Sequence, residues 1–583
     1  MDFATGKIRA TEHRGDDDLL SAGLGLEGLR GRPSAFADPA SPTPGELRRR
    51  AIQSGWKGIA DLGPLGGYGD AYGGVPDVPG REFQAFARLP QARSSHRVLV
   101  QVPDAFDVSK RCLLVTASSG SRGVYGGMAI AAAWGLANGC AVVNTDKGAG
   151  TGYFDCADAS GVALDGTRAR AGDTELDFVA DPRTIDAGIA VKHAHSQDNP
   201  EGDWGRHLLQ AAQFGLAMLD RAFPQHAPFT PANTRVVAVG LSNGGGAALQ
   251  AAGIDERGLL AGVVAIEPNI YAPRGAGARS MFDYACEAAL WSPCALLDAR
   301  FDTRALTHLP GSTIAGWHAR SQSLHANGLL QAGSAGPPPE RALARMKAKG
   351  WNDAVLASAT ASTAFDLWRA LAITYASAYA RAPLDAMPGG FRFATVDLAG
   401  KPHVATPQER AAWWCDASGI PPGNGIGVID ARKESADSAW NGLAELAALP
   451  NRDDVGSIVR ASIEATQARL PRKDLPIFIV HGAEDGLIPP QFSSTPYVEW
   501  LRANGRRPLH WCVPHAQHFD AFLALPGFGD RYVPLLPYAY AAIAKMVAHV
   551  TTGTPLEATR TPAPTPRGAS RLDPGHLDLS GIA

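Results

Sequence analysis

Ser242 has the chemistry and the local sequence of a catalytic nucleophile. It is the third residue of GLSNG (240–244), which matches the pattern G-x-S-x-G. The β-branched run VVAV leads into this pattern, and the small-residue run GGAAL leads out of it. This context predicts a strand–turn–helix elbow, in which glycines permit a sharp turn and the serine hydroxyl is exposed to substrate. The alternative interpretation is a structural serine at a tight turn.

A serine hydroxyl needs a base to remove its proton and a carboxylate to orient that base. Asp485 follows the apolar run IFIV, and we predict it to be the carboxylate, with its neighbour Glu484 as the alternative. His515 and His518 both follow the later run LHWCV. We prefer His518 as the base because it lies deeper in the loop and leaves more chain to curl back. The order serine, acid, histidine is that of the α/β-hydrolases.

The oxyanion that forms during acyl transfer needs two backbone N–H donors. Asn243, the residue after the predicted nucleophile, is expected to supply one of them. The other is expected from the loop SSGSRG (118–123), where we choose Gly120 and Ser121.

Two other motifs suggest different chemistry, and we give both a structural interpretation. The loop KGAGTG (147–152) resembles a phosphate-binding loop, but it lacks the G-K-[ST] ending and does not match G-x-G-x-x-G. His193, His195 and His207 lie close together in the sequence without a carboxylate pattern that would complete a metal site. The sequence therefore predicts neither a cofactor nor a bound metal.

The elements that must position these residues alternate between strand and helix. Strand-like runs occur at 96–102, 111–117, 140–146, 234–240 and 260–268, and then again at 475–482 and 508–513. The alternation implies crossover connections and a parallel sheet that is covered on both faces. Between the strand-like runs at 260–268 and 475–482, the pattern is mainly helical for about 200 residues. The sequence thus predicts an α/β-hydrolase fold with a mostly parallel central sheet and a large helical lid insertion.

This pattern divides the chain into five segments. They are an N-terminal extension (1–95), the first part of the α/β core (96–270), the helical lid (271–470), the second part of the core (471–553) and a Pro-rich, poorly ordered tail (554–583).

Composition excludes several classes of partner. The formal net charge is −3, from 54 basic and 57 acidic side chains, so there is no overall field to attract nucleic acid. No apolar run reaches the roughly 20 residues that a membrane span requires, and the first residues lack the apolar core of a signal peptide. Among seven cysteines, Cys286 and Cys294 are the close pair. They are either two free thiols or, in an exported protein, a disulfide.

Six segments spread over nearly the whole chain resemble the D-(-)-3-hydroxybutyrate oligomer hydrolases, also called hydroxybutyrate-dimer hydrolases. They are HRGDDDLLSAGLGLEGLR, LLVTASSGSRGVYG, NTDKGAGTGYFD, KHAHSQDNPEGDWG, VGLSNGGGAALQAA and VHGAEDGLIPP. The resemblance implies a carboxylic ester hydrolase that cleaves dimers and short oligomers of (R)-3-hydroxybutyrate, the fragments left by polyhydroxybutyrate depolymerases. It places the family's nucleophilic serine on Ser242. It also implies a secreted protein whose export signal is absent from this chain, with a cytoplasmic protein as the alternative.

Two rival functions stay open at this point. One is a lid-bearing esterase for another acyl group, such as an aromatic ester of the tannase or feruloyl type. The other is a non-catalytic α/β scaffold that binds a ligand or partner, for which the serine, acid and histidine pattern would be accidental.

Overall fold

The computed structural model of the protein describes residues 4–180, 188–330, 336–397, 400–415, 425–432, 437–557 and 560–580. The strands in these ranges are β1 (Ala4–His13), β2 (Gly80–Ala87), β3 (His96–Pro103), β4 (Cys112–Ala117), β5 (Ala141–Thr145), β6 (Tyr153–Asp155), β7 (Ser160–Val162), β8 (Arg168–Arg170), β9 (Ile189–Val191), β10 (Arg235–Leu241), β11 (Gly262–Ile266), β12 (Phe391–Thr395), β13 (Ile426–Asp430), β14 (Ile477–Gly482) and β15 (Leu509–Val513). Nine of them form the main sheet, in the order β1-β2-β3-β5-β4-β10-β11-β14-β15. The six strands from β5 to β15 in that order are all parallel, as predicted.

Helices cover the sheet and fill the long segment between β11 and β14. They are α1 (Gly25–Arg30), α2 (Pro44–Lys57), α3 (Ala133–Gly135), α4 (Lys192–His195), α5 (Pro200–Ala222), α6 (Asn243–Ile254), α7 (Met281–Ala295), α8 (Arg304–Thr307), α9 (Trp317–Ala326), α10 (Pro338–Ala348), α11 (Asp353–Ala364), α12 (Leu367–Ala380), α13 (Pro407–Ala412), α14 (Trp440–Ala448), α15 (Gly456–Glu464), α16 (Ser494–Ala503), α17 (Leu536–Thr552) and α18 (Pro574–Leu577). In the described ranges, no helix combines the length and the apolarity needed to cross a membrane.

Strand β10 shows how the sequence builds the sheet. Its residues alternate between two apolar cores, with Val237 and Val239 in one and Val236 and Ala238 in the other. Successive side chains of a strand point to opposite faces, so a strand covered on both faces is apolar throughout. The strand therefore runs between the two cores. Its carboxyl end, which is followed by α6, lies at the carboxyl edge of the sheet, where sites form in α/β proteins.

The N-terminal segment differs from the extension that we expected over residues 1–95. Strands β1 and β2 pair antiparallel with each other and onto β3, so this segment supplies two strands of the main sheet. Strand β2 was missed because its sequence is partly polar: Glu82 is completely buried, where it bonds the guanidinium of Arg48 on α2. The short strands β6 to β9 form a second sheet that the sequence analysis also missed, since three residues carry little periodicity.

The segment 271–470 is a mainly helical insertion between two neighbouring strands of the sheet. It contains α7 to α15 and one antiparallel strand pair, β12 and β13. Its two ends meet, because the backbone N–H of Ala468 donates to the carbonyl of Tyr271 at 2.8 Å. The architecture is an α/β-hydrolase fold with a mostly parallel sheet and a large insertion. We call residues 271–470 the insertion from here on.

The structure corrects the expectation for the tail and decides between the two alternatives for the cysteine pair. Within the tail, the segment 560–580 packs on the core instead of being poorly ordered: Leu572 and Leu577 are buried, and the Tyr538 hydroxyl donates to the carbonyl of Leu577. Cys286 and Cys294 are free thiols on the same helix, α7. Eight helical residues separate them by about 12 Å along the axis, which a disulfide does not span.

Candidate active site

Ser242 occupies a strained turn between strand β10 and helix α6. Its backbone angles, φ 61° and ψ −123°, lie where non-glycine residues are rare. The flanking glycines are required by space: a Cβ on Gly240 would lie 2.2 Å from the carbonyl oxygen of Gly244, and one on Gly244 would lie 2.3 Å from that of Ala117. The turn is the predicted elbow, and it places Ser242 at the carboxyl end of β10, in the lining of a pocket.

The structure brings Ser242, His518 and Asp485 into one hydrogen-bonded chain. The His518 ring nitrogen Nε2 lies 3.0 Å from Ser242 Oγ, and Nδ1 lies 2.7 Å from Asp485 Oδ2. All three side chains are buried. A ring protonated on Nδ1 donates to the carboxylate and accepts the serine hydroxyl at Nε2, which is the arrangement that makes the hydroxyl nucleophilic.

The carboxylate of Asp485 is held in the charged state. Burial alone would raise its pKa, but the adjacent His518 and His481 and their hydrogen bonds hold the pKa of Asp485 well below its usual value. Its other oxygen, Oδ1, accepts backbone N–H groups from Leu487 and Ile488, each at 2.8 Å. The turn after β14 therefore both positions the carboxylate and stabilises its charge.

A second carboxyl group, Glu267, lies beside the same histidine, and the sequence analysis did not assign it. Its Oε2 is 3.4 Å from His518 Nδ1, and neither oxygen has a hydrogen-bond partner among the described residues. Burial, then the charges of Asp485 and Asp520, raises the pKa of Glu267 well above its usual value. The same surroundings thus raise the pKa of Glu267 and lower that of Asp485. The signal available in the sequence was an acidic residue at the end of the buried strand β11.

The structure places two of the three predicted oxyanion residues in the pocket of Ser242. Asn243 and Gly120 line the same pocket as Ser242, whereas Ser121 is completely buried and is not among the lining residues. Gly120 has φ 53°, so its backbone takes a turn that favours glycine. Asn243 is the first residue of helix α6, and the free N–H groups in the first turn of a helix favour a negative charge nearby.

The pocket around Ser242 is walled mainly by apolar side chains. The core supplies Ser119, Gly120, Arg122, Ser242, Asn243, Leu487 and Phe519, and the insertion supplies Met281, Leu367 and Leu371. The insertion is also bonded to the site directly, because the Asn243 amide donates to the Tyr375 hydroxyl at 3.0 Å. The site therefore belongs jointly to the sheet and to the insertion.

A family model described as 3HB-oligomer hydrolase matches residues 3–579. The chain belongs to the 3HB-oligomer hydrolase family. Two curated relatives carry the name D-(-)-3-hydroxybutyrate oligomer hydrolase. That of Cupriavidus metallidurans is 34% identical, with 98% of this chain and 87% of the relative aligned. That of Paraburkholderia xenovorans is 35% identical, with 95% of this chain and 86% of the relative aligned. A solved tannin acyl hydrolase from Aspergillus niger aligns over 85% of this chain and 82% of its own with 12% identity and a TM-score of 0.38, a slight likeness.

The protein also contains a second serine–histidine–carboxylate chain, which begins at Ser121 in the loop 118–123. We call this loop the oxyanion loop, after its predicted role. His193 Nδ1 lies 2.5 Å from Ser121 Oγ, and Nε2 bonds the carboxylate of Glu201. Lys147 reaches the same loop, with its ammonium 3.1 Å from Ser118 Oγ and 2.5 Å from the carbonyl oxygen of Gly120. The loop KGAGTG and His193, which resembled ligand-binding motifs, thus contact the oxyanion loop from behind.

The remaining candidates lie away from Ser242. His515 is half-exposed, and its Nδ1 is 3.3 Å from the carboxylate of Glu484. In the described parts of the chain, the side chains that could offer three metal-ligand atoms close together are Glu267, Asp485 and His518, within 4.8 Å of one another. A metal there would take the histidine that bonds Ser242, so this cluster fits proton transfer better than ion binding.

Proposed function

We propose that this chain is a serine esterase that hydrolyses dimers and short oligomers of (R)-3-hydroxybutyrate to the monomer. The observation that carries the proposal is the hydrogen-bonded chain Ser242–His518–Asp485 beside an apolar pocket, in a member of the 3HB-oligomer hydrolase family. The substrates would be the soluble fragments that a polyhydroxybutyrate depolymerase releases. The reaction needs water and the side chains described, with no cofactor.

In the first half of the reaction, Ser242 Oγ attacks the ester carbonyl while His518 Nε2 accepts its proton. Asp485 keeps the ring in the correct tautomer and stabilises the imidazolium that forms. The backbone N–H groups of Asn243 and Gly120 stabilise the negative oxygen of the tetrahedral intermediate. When the ester C–O bond breaks, His518 passes the proton to the alcohol oxygen of the leaving unit, and the acyl group remains on Ser242.

In the second half, water takes the place of the alcohol. His518 removes a proton from the water, the hydroxide attacks the acyl-enzyme carbonyl, and the proton returns to Ser242 Oγ. The products are a carboxylic acid and the free enzyme.

The insertion acts as a lid in this proposal. An oligoester of 3-hydroxybutyrate has a methyl branch on each unit and little other apolar surface. Leu367 and Leu371 on α12 and Met281 on α7 offer an apolar wall for those methyl groups and limit water near the ester. A wall on that side also limits how much polymer reaches Ser242, which favours short oligomers.

The test is product analysis on a series of 3-hydroxybutyrate dimer, trimer and tetramer, with methyl gallate and methyl ferulate as competing substrates. We expect monomer as the end product from each oligomer and slow turnover of the aromatic esters. Fast turnover of an aromatic ester with an inert dimer would assign the enzyme to aromatic acyl groups instead. Failure of a fluorophosphonate to label Ser242 in the folded protein would indicate a non-catalytic scaffold.

A further inference from the structure

Arg122 is a buried cation without a counter-ion in the pocket that holds Ser242. In the described ranges five arginines are buried: Arg48, Arg97, Arg122, Arg320 and Arg410. Four of them bond a buried or partly buried carboxylate: Arg48 bonds Glu82, Arg97 bonds Asp177, Arg320 bonds Asp437, and Arg410 bonds Asp155. Among the same residues Arg122 has no carboxylate within ion-pair distance, although it is 5% exposed. An unpaired buried charge is costly, so its retention calls for an explanation.

The guanidinium of Arg122 is held in place by neutral groups. Its Nη2 donates to the carbonyl of Gly58 at 2.8 Å, and Nη1 has no partner among the described residues. A Cβ on Gly58 would lie 1.8 Å from Nη1, so this position must be glycine for the guanidinium to fit. On the other side the guanidinium carbon lies 5.5 Å from the ring centroid of Phe519, next to His518. The cation is therefore fixed beside His518 and lines the pocket with no counter-ion among the described residues, while its unpaired Nη1 lies on the side of Gly58.

The charge persists at neutral pH. Burial lowers the pKa of Arg122 to about 10, which still leaves the guanidinium protonated at pH 7. Guanidinium groups bind carboxylates strongly, because the planar array of N–H donors matches the two carboxylate oxygens. The missing partner is thus an anion, and a carboxylate fits best.

A 3-hydroxybutyrate dimer or oligomer carries such a group at one end. In its last unit the free carboxylate is four bonds from the carbonyl carbon of the terminal ester, roughly 5 Å in an extended chain built from bonds near 1.5 Å. The interior of a polymer chain has no charge. A cation that shares the pocket with Ser242 can therefore distinguish the last ester bond of an acid-ended chain from all the others.

We propose that Arg122 is a specificity-determining residue that binds the free terminal carboxylate of the substrate, so that the enzyme cleaves the ester bond nearest the carboxyl end. This inference rests on the proposed function and names the substrate class more narrowly, as oligoesters with a free acid. In the reaction the terminal unit is the leaving group. Its ester C–O bond breaks, its oxygen takes the proton from His518, and 3-hydroxybutyrate departs with its carboxylate on Arg122.

The experiment compares 3-hydroxybutyrate dimer as the free acid with its methyl ester, in the wild-type protein and in Arg122→Gln and Arg122→Lys. A hydrogen bond to a charged group corresponds to roughly tenfold to a hundredfold in affinity, so we expect the wild type to prefer the acid by about that factor in kcat/KM. Arg122→Gln should raise KM for the acid dimer by at least about tenfold and remove the preference, while Arg122→Lys should retain part of it. Arg531→Gln, an exposed change of the same charge, serves as the control and should leave the preference intact.

The possible outcomes separate the two proposals. If the wild type hydrolyses acid and methyl ester with equal kcat/KM, the carboxylate subsite is wrong while the esterase function stands. If neither dimer is hydrolysed, the proposed function fails. p-Nitrophenyl acetate, which has no carboxylate, tests whether Arg122 acts on the ester itself. An equal loss on this ester and on the acid dimer in Arg122→Gln, with unchanged circular dichroism, would overturn the subsite in favour of a role at the oxyanion.

Discussion

The molecule contains two serine–histidine–carboxylate chains, and they differ in what surrounds the serine. In the first, Ser242 lies on a strained elbow and lines a pocket, with His518 and Asp485 behind it. In the second, Ser121 is completely buried in the oxyanion loop, with His193 and Glu201 behind it. The histidine rings are also reversed, since Nε2 faces Ser242 and Nδ1 faces Ser121. The same three residue types thus occur once beside a pocket and once inside the packed core, and the backbone around the serine decides which.

The largest expected effect tests the two serines against each other. Ser242→Ala should lose at least about 10⁴-fold in kcat on 3-hydroxybutyrate dimer, as nucleophile knockouts do. Ser121→Ala removes a hydroxyl that substrate does not reach, and it should cost less than about tenfold through looser positioning of the loop. Steady-state kinetics on both variants, with circular dichroism as the folding control, give the ranking. A Ser242→Ala variant with a tenth of wild-type activity contradicts it.

The histidines after β15 provide the next comparison. His518→Ala should abolish acylation, because no other base lies within hydrogen-bond distance of Ser242 Oγ in the described residues. His515→Ala should cost less than about tenfold, since His515 contacts Glu484 and is half-exposed. Burst kinetics with an activated ester measure acylation directly. The reverse ranking would transfer the role of base to His515.

The two carboxyl groups beside His518 differ in the direction of their pKa shifts, which is upward for Glu267 and downward for Asp485. Asp485→Asn should lower kcat by about 10³ to 10⁴-fold, because the amide stabilises the wrong tautomer of the ring. Glu267→Gln should cost less than about tenfold, since a protonated carboxyl and an amide are similar neutral groups. If the two losses are equal, Glu267 shares the orienting role.

The wall of the insertion should affect binding more than chemistry. The double variant Leu367→Ala/Leu371→Ala is expected to raise KM for dimer and trimer by about tenfold, because each change removes apolar contact worth roughly 1–2 kcal/mol at most. The rate with p-nitrophenyl acetate should change much less, as acyl transfer needs the triad and the oxyanion donors. Equal losses on both substrates would mean that the insertion does not select substrate.

The smallest expected effect concerns stability and pH. Because the folded-state pKa of Glu267 lies above the unfolded value, the folded protein holds a proton that the unfolded chain releases. The free energy of unfolding therefore falls as pH rises above about 4.5 on account of this group. Glu267→Gln removes this dependence, so its Tm relative to the wild type should rise between pH 4.5 and 8. Thermal unfolding at both pH values measures the difference, and a constant difference would mean that Glu267 is charged.

The parts of this molecule that were predictable have local signals. Strand β10 and the residues of the elbow are contiguous, so the nine residues VVAVGLSNG contain both the apolar run and the glycines that Ser242 requires. The second chain has no such signal, because Ser121 and His193 are 72 residues apart and meet through packing alone. Glu267 and Arg122 were missed for a related reason. Among the described residues, Glu267 stands out because it is buried without a hydrogen-bond partner, and Arg122 because it is buried without an oppositely charged one. Both properties depend on the folded surroundings and not on the local sequence.

The meeting of the two ends of the insertion bears on how the chain folds. Strand β14 pairs with β11 although about 210 residues lie between Val264 and Phe478. Closing an unstructured loop of that length costs about 5 kcal/mol in chain entropy, whereas about 20 flexible residues cost about 3 kcal/mol. The bond between Ala468 and Tyr271 shortens the loop to that smaller size once the helices of the insertion have assembled. We therefore expect the insertion to assemble before the last two strands dock. On this order the half-sheet ending at β11 waits, with an unpaired edge, for a helical segment that also lines the pocket of Ser242.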